Sequence, residues 1–104
     1  MTSKPISDRA EVSIDFPDKF YHGTFTRESR YDVSADAEGV HIHLTREGEQ
    51  KRHVGFHLHF QLMADILGAA AESMASVETM QPYEREQLLE VAARLTAVLN
   101  EKKA

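Results

Sequence analysis

Apolar and polar positions alternate through the middle of the chain, between residues 31 and 60. A period of two is that of a β-strand with one buried face. Three such runs are separated by polar connections, and their apolar positions are Tyr31, Val33 and Ala35, then Val40, Ile42 and Leu44, then Val54, Phe56, Leu58 and Phe60. The pattern predicts an antiparallel β-meander of three strands. A short earlier run, Val12, Ile14 and Phe16, predicts a fourth strand that stops at Pro17.

The chain before and after this first strand is less regular. Residues 1–10 are polar and show no periodicity, so we expect a mobile leader followed by a single domain over residues 11–104. An aromatic cluster, formed by Phe20, Tyr21 and Phe25, surrounds His22-Gly23. It is interpreted either as a turn whose aromatic side chains fill one end of the core or as a small exposed interaction patch.

After Phe60 the apolar period changes to that of an α-helix. The apolar positions of the first helix are Leu62, Met63, Ile66, Leu67, Ala70, Ala71, Met74 and Val77. A second helix is predicted to begin at Pro82, because proline suits the first helical position. Its narrower apolar stripe is formed by Leu88, Val91, Ala92, Leu95, Val98 and Leu99. The predicted fold class is therefore α+β: an antiparallel β-meander of three to four strands with two C-terminal amphipathic α-helices packed on one face.

The strand register follows from the alternation. If Ala35 lies opposite Val40, and Leu44 lies opposite Val54, all the apolar residues of the meander share one face. We therefore expect six side chains to be buried against the helices: Val33, Ile42, Leu44, Val54, Phe56 and Leu58.

The same register collects five histidines on the opposite face of the sheet: His41, His43, His53, His57 and His59. In this register His41 lies opposite His57, and Asp32 lies opposite His43. Imidazole nitrogens and a carboxylate are ligands for zinc, nickel or copper. The candidate metal ligands are His41, His43, His57, His59 and Asp32. The other interpretations of these histidines are adventitious metal uptake and a polar or interface surface without metal chemistry.

A seven-residue segment, residues 41–47, resembles the HxH-x3-E core of the first cupin motif, in which two histidines and a glutamate bind a metal inside a β-barrel. Here the pattern is formed by His41, His43 and Glu47. The glycine that precedes the family motif and the second family motif are missing, and about forty C-terminal residues have a helical period. The strands of a cupin barrel are therefore not predicted, and the family's function is not carried over.

The amino-acid composition argues against several classes of function. The 104 residues carry a formal net charge of -5 without a long basic run, which argues against nucleic acid as a partner. There is no cysteine, and no apolar stretch is long enough for a signal peptide or a membrane span, so a cytoplasmic location without a membrane partner is expected. No nucleophile elbow or phosphate-binding loop is found, and we expect neither enzymatic activity nor an organic cofactor.

Two function hypotheses follow from the sequence. The first is a small acidic protein-binding module (an adaptor, inhibitor or assembly factor) that acts through an exposed sheet face or edge. A homodimer is expected within this hypothesis, because a sheet covered on one side leaves a face and an edge open. The second is a metal-binding domain that holds zinc, nickel or copper on its histidine-rich face.

Overall fold

Six β-strands precede two α-helices in the computed structural model, which describes residues 3–48 and 51–102. The elements are β1 (Lys4–Pro5), β2 (Ala10–Phe16), β3 (Lys19–Phe25), β4 (Ser29–Ala35), β5 (Gly39–Arg46), β6 (Arg52–His59), α1 (Phe60–Met74) and α2 (Pro82–Glu101). The chain divides into two compact units, Met1–Leu67 and Gly68–Ala104. The α+β class with an antiparallel sheet is confirmed.

The main sheet has the strand order β1-β4-β5-β6, and all its pairs are antiparallel. The predicted register is confirmed: Ala35 pairs with Val40 and Leu44 with Val54. His41 pairs with His57, and Asp32 pairs with His43. Because side chains alternate across a strand, this register separates an apolar face from a histidine face.

The aromatic cluster forms a strand and not only a turn. β2 and β3 make a separate two-stranded antiparallel sheet in which Phe16 pairs with Lys19, so Pro17 lies in the tight turn between them. Phe25 is completely buried, whereas Phe20 is 69% exposed. The cluster thus supplies both a core residue and an exposed aromatic. A pattern search misses this strand because its apolar residues do not alternate regularly.

Part of the segment predicted to be a mobile leader lies in β1, which pairs Lys4 with Tyr31. The Arg30 guanidinium donates hydrogen bonds to the side-chain and backbone oxygens of Ser3, at 2.8 and 2.6 Å. Residues 1 and 2 lie outside the described residues. The division into a leader over residues 1–10 and a domain over residues 11–104 stays a prediction.

The predicted second helix is confirmed at its first residue, Pro82. Ahead of it, the backbone N–H of Gln81 donates to the side chain of Glu84 at 3.2 Å, which satisfies one of the donors at the helix N-terminus. α1 ends at Met74, before Val77, where the Ser76 hydroxyl donates to the Ser73 carbonyl at 2.8 Å.

Burial on the apolar face is uneven. Val54 is buried, but Val33 is 51% and Phe56 44% exposed in the single chain. The expected burial of these two side chains is therefore not found in the chain taken alone. Within α1 and α2, both of which the structure describes in full, no residue is buried. Packing of the helices on one face of the sheet stays a prediction.

Replacement of Phe25 tests the core of the N-terminal unit. We expect Phe25→Ala to lower the free energy of unfolding by about 3–5 kcal/mol, because a fully buried ring leaves a cavity. Phe20→Ala in the same strand is the matched control and should cost about 0.5 kcal/mol or less, because its side chain is largely exposed. Urea denaturation followed by circular dichroism measures both. Equal losses would contradict the assignment of Phe25 to the core.

Candidate functional site

The histidine face is built by the two long paired strands β5 and β6. Odd-numbered residues of both strands point to this face, which gathers His41, His43, His53, His57 and His59. Their rings contact one another in two groups. One group contains His41, His57 and His59, and the other contains His43 and His53.

The first group includes a carboxylate. The rings of His41 and His57 stack with their centroids 3.9 Å apart and their planes 8° from parallel. His41 Nε2 donates a hydrogen bond to Asp36 Oδ2 at 2.9 Å. One ligand atom each from Asp36, His41 and His57 lies within 4.8 Å of the other two. We call these three residues the Asp36 cluster.

Asp36 is held in place by the turn between β4 and β5. Its Oδ1 accepts hydrogen bonds from the backbone N–H groups of Glu38, at 2.8 Å, and Gly39, at 3.0 Å. This is the Asx-turn arrangement, in which an aspartate bonds to the backbone ahead of it. Gly39 is required here, because a Cβ atom at this position would collide with the carbonyl oxygen of Leu58 on the neighbouring strand. The carboxylate is therefore fixed beside β5 before any ligand binds.

The electrostatics of Asp36 agree with this geometry. The hydrogen bond from His41, followed by those from the Glu38 and Gly39 backbone, holds the pKa of the Asp36 carboxyl well below its usual range. Asp36 therefore stays a carboxylate at neutral and mildly acidic pH. An anionic oxygen beside two imidazoles is a donor set suited to a divalent transition metal.

The second group is joined by hydrogen bonds between side chains. His43 Nδ1 lies 3.1 Å from His53 Nε2, and His53 Nδ1 lies 3.1 Å from the Thr45 hydroxyl. Gly55, which pairs with His43, leaves room for this contact, since a Cβ atom at that position would lie 3.0 Å from the His43 ring. His43 is thus occupied by His53 and not by the Asp36 cluster.

The structure divides the predicted ligands. It brings His41 and His57 together, and the His59 ring lies next to that of His57, with centroids 4.7 Å apart. His43 lies in the second group. Asp32 lies opposite His43 in the register, and its buried Oδ1 has no hydrogen-bond partner among the residues that the structure describes.

Asp36 is the residue that sequence reasoning missed, because the pattern assigned it only to a turn. The signal that could have found it is its place at the start of the Asp36–Gly39 turn. An aspartate there bonds to the following backbone and stands beside the first residues of the next strand.

Comparison with known proteins gives no relative: no protein-family model, curated protein or solved structure matches the chain. Among the described residues, neither helix is long and apolar enough to cross a membrane.

The hydrogen bond between His41 and Asp36 can be tested by titration. We expect carbon-detected NMR to give a lowered pKa for the Asp36 carboxyl, and His41→Phe to raise that pKa, because phenylalanine keeps a stacking ring but cannot donate. His43→Phe is the control and should leave the Asp36 pKa unchanged, since His43 contacts His53 instead.

The lowered pKa of Asp36 also predicts how stability changes with pH. A carboxyl whose pKa is lowered by folding stabilises the folded state above its unfolded pKa, about 3.9. That contribution is lost as the pH falls from there through the folded pKa. A wild-type Asp36 that titrates with the same pKa as in His41→Phe would contradict the assigned hydrogen bond.

Proposed function

We propose that this chain is a protein-interaction module that works as a homodimer, and that the second copy covers its exposed apolar surface. The observation that carries the proposal is the exposure of most large apolar side chains in the single chain. Among the described residues, the buried apolar side chains are those of Phe25 and Val54.

So small a core does not stabilise a chain of this length by itself. Ordering a residue costs about 1–2 kcal/mol of backbone entropy, whereas full burial of one large apolar side chain contributes about 1.5–3 kcal/mol. Two buried side chains, with half-buried ones such as Ile42, Leu44 and Leu58, are a small offset for the ordering of two sheets and two helices. An assembly that buries further apolar area resolves this imbalance, and obligate dimers often have no stable folded monomer.

The exposed apolar residues are arranged in stripes and are not scattered. On α2 most of them recur at helical spacing along one side, at Leu88, Val91, Leu95, Val98 and Leu99, each at least 41% exposed, while Leu89 lies beside this stripe. On α1 they include Leu62, Ile66 and Leu67. Contiguous apolar patches of this kind mark interaction surfaces in soluble proteins.

The apolar face of the sheet is a second surface that needs a cover. Val33 and Phe56 stand on it with about half of their surface exposed. We propose that helices cover this face in the dimer, as the amphipathic pattern predicts. A second copy is the occupant that we favour because one chain supplies both an apolar sheet face and apolar helix stripes, and C2 dimers are the commonest assemblies. Interfaces of obligate dimers are also the most apolar class.

A further protein partner can bind at the sheet edge. β6 is the last strand of the main sheet, and its outer side is unpaired by any strand among the described residues. Within residues 53–59, every second residue directs its backbone N–H and C=O groups away from β5, and these groups can pair with an extended segment, as in β-strand addition. Nothing in this proposal requires catalysis, nucleic acid or a membrane; these absences and a cytoplasmic location stay predictions.

The oligomeric state tests the proposal. We expect sedimentation equilibrium at micromolar concentration to give about twice the 11.8 kDa mass of one chain. Leu95→Glu should raise the dimer dissociation constant about tenfold or more, because it places a charge in the apolar stripe of α2 (a tenfold change is about 1.4 kcal/mol). Ala97→Glu adds the same charge on the side of that helix away from Leu95 and should leave the dimer intact, because residues two apart do not face each other.

Two outcomes would overturn this proposal. One is a wild-type protein that sediments as a folded 11.8 kDa monomer. The other is equal dissociation of the Leu95→Glu and Ala97→Glu dimers, which would show that added charge and not the apolar stripe is responsible. Circular dichroism of each variant at the same concentration separates dissociation from unfolding.

A further inference from the structure

We infer that the Asp36 cluster is a binding site for a divalent transition metal, with Asp36, His41 and His57 as its protein ligands. The site lies within the N-terminal unit, on the face of the sheet opposite the apolar one. It does not depend on the proposed dimer, since all three ligands come from one chain.

The separation of the ligand atoms suits a small metal ion. Bonds of about 2.0–2.1 Å at tetrahedral angles place ligand atoms about 3.3 Å apart. His41 Nε2 and Asp36 Oδ2 are 2.9 Å apart, so a metal that replaces the proton between them requires them to separate by a few tenths of an ångström. The ligand atom of His57 lies within 4.8 Å of both and has to move closer.

His57 has the freedom to make this movement. Its side chain is exposed on an edge strand, and the ring would give up part of its contacts with the His41 and His59 rings. Asp36 and the His41 backbone, by contrast, are fixed by the turn and by strand pairing. Two ligands are therefore pre-positioned and the third closes on the ion.

The donor set defines the class of metal. Two imidazoles and one carboxylate fit zinc, nickel or copper, whereas magnesium and calcium prefer oxygen ligands alone. Three protein ligands leave a coordination position open to water in a tetrahedral site. His59 lies beside this cluster, with its ring centroid 4.7 Å from that of His57.

The second histidine group supplies an internal control. His43 and His53 lie on the same face and are also in contact, but they have no carboxylate in a comparable cluster among the described residues. If metal uptake depended only on histidine density, both groups would contribute equally. If the Asp36 cluster is the site, only its own residues should matter.

The test is zinc titration by calorimetry on full-length protein made without a polyhistidine tag and stripped with a chelator. We expect one zinc ion per chain, confirmed by native mass spectrometry. Asp36→Asn should weaken binding roughly 10- to 100-fold, which is the size of effect that even an outer-shell partner has on metal affinity. Asparagine retains an oxygen for the Glu38 and Gly39 N–H groups, so the turn is kept while the anionic ligand is lost.

Two further variants make the result decisive. His57→Gln should weaken zinc binding by a similar factor, and its exposed position makes it independent of any effect on the turn. His53→Gln is the matched control and should leave the affinity within about twofold. Two results would overturn the site and identify the zinc uptake as adventitious. One is that His53→Gln lowers the zinc affinity as much as His57→Gln does. The other is that neither Asp36→Asn nor His57→Gln lowers it.

Discussion

The pairing register between β5 and β6 is the constraint on which the remaining features depend. Because side chains alternate with a period of two, the pairing of His41 with His57 also sets Ile42 opposite Phe56 on the other face. A slip of β6 by one residue would move its histidines, His53, His57 and His59, to the apolar face. The same slip would move its apolar residues, Val54, Phe56 and Leu58, to the histidine face. Glycine reinforces this register at one end, where only a residue without a side chain at position 39 allows the close approach to Leu58.

The two faces produced by this register differ in the kind of ligand or partner that they can bind. On the apolar face, Val33 and Phe56 remain exposed. Covering them with other apolar side chains would therefore stabilise the protein. On the histidine face the side chains already contact one another, and their nitrogen atoms are available to bind a metal ion. The proposed dimer and the proposed metal site therefore use opposite faces of one sheet, and each can be disrupted without touching the residues of the other.

Alternation of apolar residues was sufficient to predict the pairing of β4, β5 and β6, and the helical period with Pro82 was sufficient to predict where α2 begins. The strand Lys19–Phe25 was missed, because its face is filled by Tyr21, Gly23 and Phe25 and does not show regular alternation of apolar with polar residues. Two of the three residues of the Asp36 cluster, His41 and His57, were predicted as candidate ligands. Register arguments place strand residues opposite one another, but they say nothing about a turn side chain such as that of Asp36. Nor do they give the ring orientations that join His43 to His53.

Asp36 links the local structure of the turn to the chemistry of the histidine face. One oxygen of its carboxylate accepts the backbone N–H groups that close the turn, and the other accepts the hydrogen bond from His41. Because one planar group makes both sets of contacts, the orientation that completes the turn also directs the second oxygen toward β5. A ligand set of this kind needs little reorganisation at two of its three positions. The remaining movement falls on His57, whose exposed side chain lies on the edge strand and contacts the rings of His41 and His59.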